Sequence, residues 1–430
     1  MENLRNLDEY LEHLCAALGH ADRRASLKDY CRGLMLPIPR KSVEPLAACT
    51  DPLHVRAKHQ SLHHFVAKST WSDEAVLASV LDWVRPALVA PTGHYWIIDD
   101  TGFPKKGKHS VGVARQYCGQ LGKQDNCQVA VSLSLATELG SVPVAYQLYL
   151  PKEWADDPVR RRTTGVPDHV AFATKPAIAL EQLRGAVEAG IPPGVVLADA
   201  GYGDETAFRD GMTEMGLLYA VGVRPATTVW PPDVAPLPPL RPSGRGRPST
   251  LLRRGPGHEP ISVKALAMAL PPASYQQVRW REGSNTMLSS RFAALRVRPA
   301  HRDYWRSEQR AQEWLLVEWP EGDEEPLKYF LSTAPSDATL EQLVFVTKMR
   351  WRIERDYQEL KQEFGLGHYE GRGWLGFHHH ATLCIATYGF LISQRLHQRD
   401  FKKKSAWTKN LALPDDYVPR GSRTRATSRC

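Results

Sequence analysis

Metal-binding cysteine pairs, long apolar runs and internal repeats are all missing from this sequence. Its seven cysteines (15, 31, 49, 118, 127, 384 and 430) never form a C-x-x-C pattern and are odd in number. Neither a zinc site nor a disulfide framework is indicated, and a reducing cytoplasm is the expected setting. No apolar stretch approaches the roughly 20 residues of a membrane span. The acidic opening from Met1 to Glu12 also lacks the basic-then-apolar layout of a signal peptide. No membrane partner is expected. Acid is in relative shortage too: 47 Asp and Glu face 55 Lys and Arg, leaving a formal charge of +8. That excess suits an anionic partner, nucleic acid first.

What is present reads as a globular enzyme of two or three domains, since 430 residues exceed one ordinary core. Leu7, Leu11, Leu14 and Leu18 recur at helix spacing, and Thr70 with Ser72 and Asp73 marks a helix start, so residues 1–88 predict a small helical domain suited to DNA binding. The period then changes. Short β-rich runs at Tyr95 to Ile98, Val111 to Tyr117, Cys127 to Leu135 and Val142 to Leu150 predict an antiparallel sheet. A helix over 175–189, a strand at Gly194 to Ala198, a helix from Asp204 and a strand at Leu217 to Val223 follow. This order predicts an α/β, RNase H-like catalytic core over 89–223. Residues 224–335 read as a β-rich insertion that opens with a Pro, Gly and Arg linker, 336–400 as helices completing the core, and 401–430 as a basic tail.

Three acids draw attention. Asp99 and Asp100 follow the apolar run Tyr95-Trp-Ile-Ile, where an unpartnered buried charge costs several kcal/mol. Alternation sends them to opposite faces, and period alone does not choose between them. Asp199 ends the run Val195-Val-Leu-Ala, with Gly201 and Gly203 allowing a tight turn and Asp204 read as a helix cap. On a helix through Val346, Met349, Ile353, Tyr357, Leu360 and Phe364, the apolar stripe falls within about 80° of arc. Arg350, Glu354 and Lys361 lie together on its flank, while Glu359 points toward solvent. Carboxylates brought together from separate elements are the hard oxygen donors that divalent cations need.

These residues, Ile98-Asp-Asp-Thr, Ala198-Asp199 and Arg350-Trp-Arg-Ile-Glu354 with Lys361, resemble bacterial insertion-sequence transposases of the DDE type. The group they are most similar to carries a β-rich insertion before the last acid and a Tyr-Arg-Glu-Lys signature. Arginine four before and lysine seven after the glutamate are matched by Arg350, Glu354 and Lys361, whereas the signature tyrosine is replaced by Thr347. The resemblance implies that Asp100, Asp199 and Glu354 are catalytic and bind two Mg2+ ions, Mn2+ substituting. It prefers Asp100 to Asp99 because the family's first acid directly precedes a threonine, as Asp100 precedes Thr101. It implies binding of double-stranded DNA, both terminal inverted repeats and target, by a homodimer or higher multimer, with cut-and-paste cleavage and strand transfer in a bacterial, nucleoid-associated cytoplasmic setting. Arg350 and Lys361 would hold phosphates.

Further basic groups suggest where DNA lies. Lys105, Lys106 and Lys108 follow Asp100 in a turn, and such contacts make binding steeply salt-dependent. Arg245 and Arg247 sit in an extended Gly-Arg-Gly-Arg-Pro segment narrow enough for a minor groove. Arg160 to Arg162 form a weaker cluster diluted by Asp156 and Asp157. Trp280, Trp305, Trp314 and Trp319 concentrate in the insertion, and similar transposases use an aromatic residue there to stack on a displaced base. His378 to His380 and the pair His63-His64 diverge by about 100° per residue on a helix and predict packing or surface roles, not a metal site. The rival readings are an RNase H-like nuclease that only cuts, and a domesticated DNA-binding protein without chemistry.

Overall fold

The computed structural model describes residues 2–88, 93–239, 250–282 and 287–398. Within them the chain is mixed α/β and divides into two compact units. One is built from residues up to Pro192 together with those from Trp351 onward, and the other from Pro193 to Arg350. The expected segment 1–88 therefore lies wholly in the first unit and 224–335 in the second, while 89–223 and 336–400 are each divided.

The first unit opens with α1 (Glu2–Cys15), α2 (Arg23–Met35), α3 (Val43–Thr50), α4 (Val55–Ala67) and α5 (Asp73–Val84). Leu11, Leu14 and Leu18, placed by helical period, are fully buried. Ser72 caps α5 by accepting from the Ala75 amide at 3.0 Å, with Asp73 and Glu74 favourably placed in the first turn. Then come β1 (Tyr95–Pro104), β2 (Ala114–Cys118), β3 (Lys123–Ala136) and β4 (Ser141–Leu148), all antiparallel. The long β3 pairs with β1 along one side and with β2 and β4 along the other.

The first acid-bearing strand does not end at Ile98. It continues to Pro104, because β3 supplies ten consecutive partners from Ala136 to Cys127, so Asp99 and Asp100 sit inside the strand. Gly102 permits this continuation: a Cβ there would come within 2.9 Å of the Cys118 sulfur. Helices α6 (Lys152–Ala155), α7 (Pro158–Thr164) and α8 (Lys175–Glu188) follow. The Gln182 amide of α8 donates to the Val131 carbonyl of β3 at 3.0 Å.

In the second unit, β5 (Val195–Ala198), α9 (Ala200–Gly203), α10 (Thr206–Glu214) and β6 (Tyr219–Val223) place two parallel strands side by side. The chain continues through β7 (Thr228–Trp230), β8 (Ile261–Ser262), α11 (Val263–Ala269), β9 (Gln276–Glu282), β10 (Met287–Pro299), β11 (Glu313–Trp319), β12 (Lys328–Ser332) and α12 (Leu340–Lys348). β12 pairs antiparallel with β6, β11 with β12, and β10 with β11, so the strands after Val223 extend the β5–β6 sheet. Thr339 and Gln342 close a reciprocal capping box on α12, whose Leu343 and Val344 pack on Val278, Phe292 and Leu316.

The helix expected to carry Val346 to Phe364 without a break is divided between two helices. The Thr347 hydroxyl donates back to the Leu343 carbonyl, and the Met349 amide is shared between the Phe345 and Val346 carbonyls. That tightened last turn stops α12, and α13 (Trp351–Gln362) starts afresh in the first unit. Arg350 stands at the break and not on a common wheel with Glu354.

The last helix, α14 (Trp374–Gln398), is the axis of the first unit. Tyr10 of α1 donates to the Ala386 carbonyl at 2.6 Å. Tyr30 of α2 shares a 2.8 Å hydrogen bond with His380 Nδ1. The His379 ring stacks on Trp71 at 3.6 Å between centroids and bonds to the Val66 and Trp71 carbonyls, while His378 Nε2 accepts from the Leu148 amide of β4. The histidine triple is thus packing, as its spacing predicts.

Burial pushes His379 and His380 down to about 4, below the ordinary imidazole value of about 6.5. Above pH 6.5 these rings are neutral folded or unfolded. As pH falls from 6.5 toward 4, the unfolded chain gains protons that the folded chain refuses, and stability drops by roughly 3 kcal/mol per imidazole. Denaturant unfolding at pH 7, 6 and 5 should show this loss, and His380→Gln, though less stable at pH 7, should show a shallower one. An equal slope in the variant contradicts the assignment.

Candidate active site

The register settles how the acid pair is presented. Asp99 faces Ser132 across the ladder and Asp100 faces Val131, so their side chains leave opposite faces of β1. Ser132 shares a 2.6 Å hydrogen bond with the Tyr357 hydroxyl of α13, which also donates to the Asp99 carbonyl at 3.3 Å. Asp99 therefore lies on the face that Tyr357 covers. Asp100 Oδ2 accepts instead from the Lys175 ammonium at the start of α8, at 3.0 Å. Both carboxylates are partly exposed.

In the second unit, Asp199 directly follows β5, as the apolar run predicts, and caps the short α9 through the Gly201 amide at 2.8 Å. The cap needs α9 to lie close on β6. A Cβ at Gly203 would come within 2.2 Å of the Gly222 carbonyl, so only glycine fits there. Asp204 is not the helix cap expected of it. It ends α9, and its carboxylate accepts from the Thr227 hydroxyl and the Arg224 amide, holding the loop after β6.

Glu354 lies in the first turn of α13 and is exposed. Lys361, two turns on, is on the same side of the helix. Its ammonium donates to the Gly102 carbonyl at 2.9 Å and to Gln120 at 3.3 Å, lies 5.1 Å from the Phe103 ring, and is pulled down to about 8 by burial. Lys361 thus reaches the acid-bearing strand two residues beyond Asp100.

Glu359 is buried, contrary to the solvent position the helix wheel assigns it. Arg355 of its own helix and Arg395 of α14 both bond to it, at 2.9 and 2.5 Å, because α14 covers the flank that one helix viewed alone leaves bare. Asp356, passed over in the sequence, is also buried. Ser141 and Tyr388 donate to it at 2.7 and 2.8 Å, and burial raises its carboxyl to about 6. Its only sequence signal is an acid two residues from Glu354 and beside the apolar stripe.

Of the lysines after Asp100, Lys106 and Lys108 are exposed, whereas Lys105 donates to the Tyr369 carbonyl at 2.9 Å and braces the loop before α14. Arg245 and Arg247 lie outside the described residues. Of Trp280, Trp305, Trp314 and Trp319, Trp305 is the exposed one, at 61%, with Arg302 over its ring at 5.2 Å and Tyr304 edge-on at 5.4 Å. Trp280, Trp314 and Trp319 are half-buried.

The expected metal ligands are all carboxylates, which suits a hard divalent cation. Asp100 and Glu354 belong to one unit and Asp199 to the other. Among the described residues no three His, Cys, Asp or Glu side chains are gathered as a metal-binding group. No helix among them is long and apolar enough to cross a membrane.

Comparison with known proteins identifies the family. The profile described as "DDE superfamily endonuclease" matches residues 13–287, well over half of the chain. A "Probable transposase for insertion sequence element IS701" from Microchaete diplosiphon is 33% identical over 172 residues, which are 38% of this chain and 40% of that relative. The match thus spans less than half the length of the relative. The profile runs from the N-terminal helices through β1, β5 and most of the strands that follow, and on that breadth the chain belongs to the DDE superfamily endonucleases.

Proposed function

We propose that this protein is an insertion-sequence transposase that binds the ends of its own element as a multimer, hydrolyses phosphodiester bonds there and joins the released 3′-hydroxyls to target DNA. The observation that carries the reading is family membership combined with carboxylates at three separated backbone positions: Asp100 within β1, Asp199 after β5 and exposed Glu354 on α13. In an RNase H-like core these three would hold two Mg2+ ions, which when bound supply an activated nucleophile and stabilise the leaving oxygen.

The chain's own residues orient the DNA. Lys361, beside Gly102, and Arg350, at the break between α12 and α13, would hold phosphates flanking the scissile bond, and exposed Lys106 and Lys108 would extend that contact. Lys175 pairs with Asp100 at 3.0 Å. Trp305, with Arg302 stacked on it, offers an aromatic face to an unpaired base.

Glu354→Gln should abolish Mg2+-dependent cleavage of a cognate end while end binding stays within about twofold of wild type, since a ligand charge is lost without change of shape. Asp100→Asn should do the same and Asp99→Asn should leave cleavage measurable. The reverse pattern would move the first ligand to the Tyr357 face. With a supercoiled target plasmid, joined products are expected; nicking alone would favour a nuclease, and binding without any cleavage a domesticated DNA-binding protein.

Trp305→Ala should weaken binding to a duplex carrying one unpaired base by about 1–3 kcal/mol and leave a fully paired duplex unaffected. Equal losses on both probes would remove Trp305 from base recognition.

A further inference from the structure

The first unit contains a cleft of about 700 Å³ walled on one side by α3 and α4 and on the other by the end of α7 and the loop of residues 368–373 before α14. Three cationic side chains line it, one from each of three separate segments: Lys68 just after α4, Arg162 in the last turn of α7 and Arg372 in the loop. All three are exposed, and none has an acidic partner among the described residues. Four other cations of the same unit are paired with acids. Lys58 pairs with Asp29, Arg40 with Glu370, Arg160 with Asp157 and Arg184 with Glu181.

The basic cluster at 160–162 resolves in the same way. Arg160 lies over the Trp154 ring beside Asp157, and Arg161 is spent on the Val170 and Pro167 carbonyls, which leaves only Arg162 for the cleft. The histidine pair of the sequence divides similarly: His64 bonds to Ser69, while His63 stacks on His59 at 6.1 Å on the cleft wall. α4 itself carries no acid. The acids on the walls are Glu44 and Glu370, and Arg40 already holds the second.

We infer that this cleft grips the phosphodiester backbone of double-stranded DNA, with Lys68, Arg162 and Arg372 each contacting a phosphate. The inference rests on the transposase reading and goes beyond it, because it places a DNA contact on a wall shared by the N-terminal helices and the segment leading into α14. Uncompensated charges from three segments around one concavity match a regularly spaced polyanion. Such contacts are independent of base sequence.

The test is binding of the full chain to a linear duplex of arbitrary sequence in EDTA, with affinity measured across a range of salt. The combined variant Lys68→Ala, Arg162→Ala, Arg372→Ala should reduce the slope of log affinity against log salt by roughly 2 to 3. Equivalently, raising salt from about 50 to about 200 mM should cost wild type about 40-fold more affinity than the variant. Arg162→Lys with Arg372→Lys should keep the wild-type slope, as should Arg184→Ala, which neutralises a cation away from the cleft. Should the triple variant not fold, Arg162→Ala and Arg372→Ala singly should each lower the slope by about 0.9. A wild type that binds duplex with a slope these variants leave unchanged overturns the cleft alone. A wild type that binds no duplex overturns the transposase reading and the cleft with it.

Discussion

Ten consecutive antiparallel pairs between β1 and β3, from Tyr95 against Ala136 to Pro104 against Cys127, govern what the acid-bearing strand can present. A slip of one residue would exchange the faces of Asp99 and Asp100 and turn Trp96 and Ile98 with them. Tyr95 to Ile98 are buried on both faces of the strand, so such a slip would force both close-packed layers to repack. The chemistry of this strand is therefore set by packing that takes no part in it. Gly102 and Lys361 add a second restraint, one by admitting Cys118 and the other by bonding to the strand's backbone.

Helix α13 is held differently. Its apolar residues Ile353, Tyr357 and Leu360 are buried, but so are Asp356 and Glu359, each tied to elements distant in sequence. A helix fastened by polar contacts on one side and apolar ones on another has little freedom to roll. Glu354 is left exposed on a support that is fixed around it, which is the condition a metal-ligating carboxylate requires.

Much of this was readable from residues. The β5 run ending at Asp199 and the Ser72 helix start are local signals, and the structure repeats them because neighbours within a few residues decide them. The continuation of β1 past Ile98 was not readable, since its partners come from a strand some thirty residues later. The break at Met349–Arg350 was hidden because both halves carry helical apolar spacing and the interruption depends on a side-chain bond from Thr347. Glu359 was misplaced for a third reason: its burial is due to Arg395 on α14. At the candidate site, the strand before Asp199 and the helix under Glu354 were legible, whereas the partners of the acids, Lys175 above all, were not.

The position of α14 has a consequence for synthesis. Tyr10, Tyr30 and Trp71 each find their partners on a helix near the far end of the described chain. While the ribosome is still making the intervening segments, the amino-terminal helices have no cover for their apolar faces, and a waiting surface of that kind is prone to aggregate or to recruit a chaperone. Helices made well before α14 are thus among the last to reach their final packing.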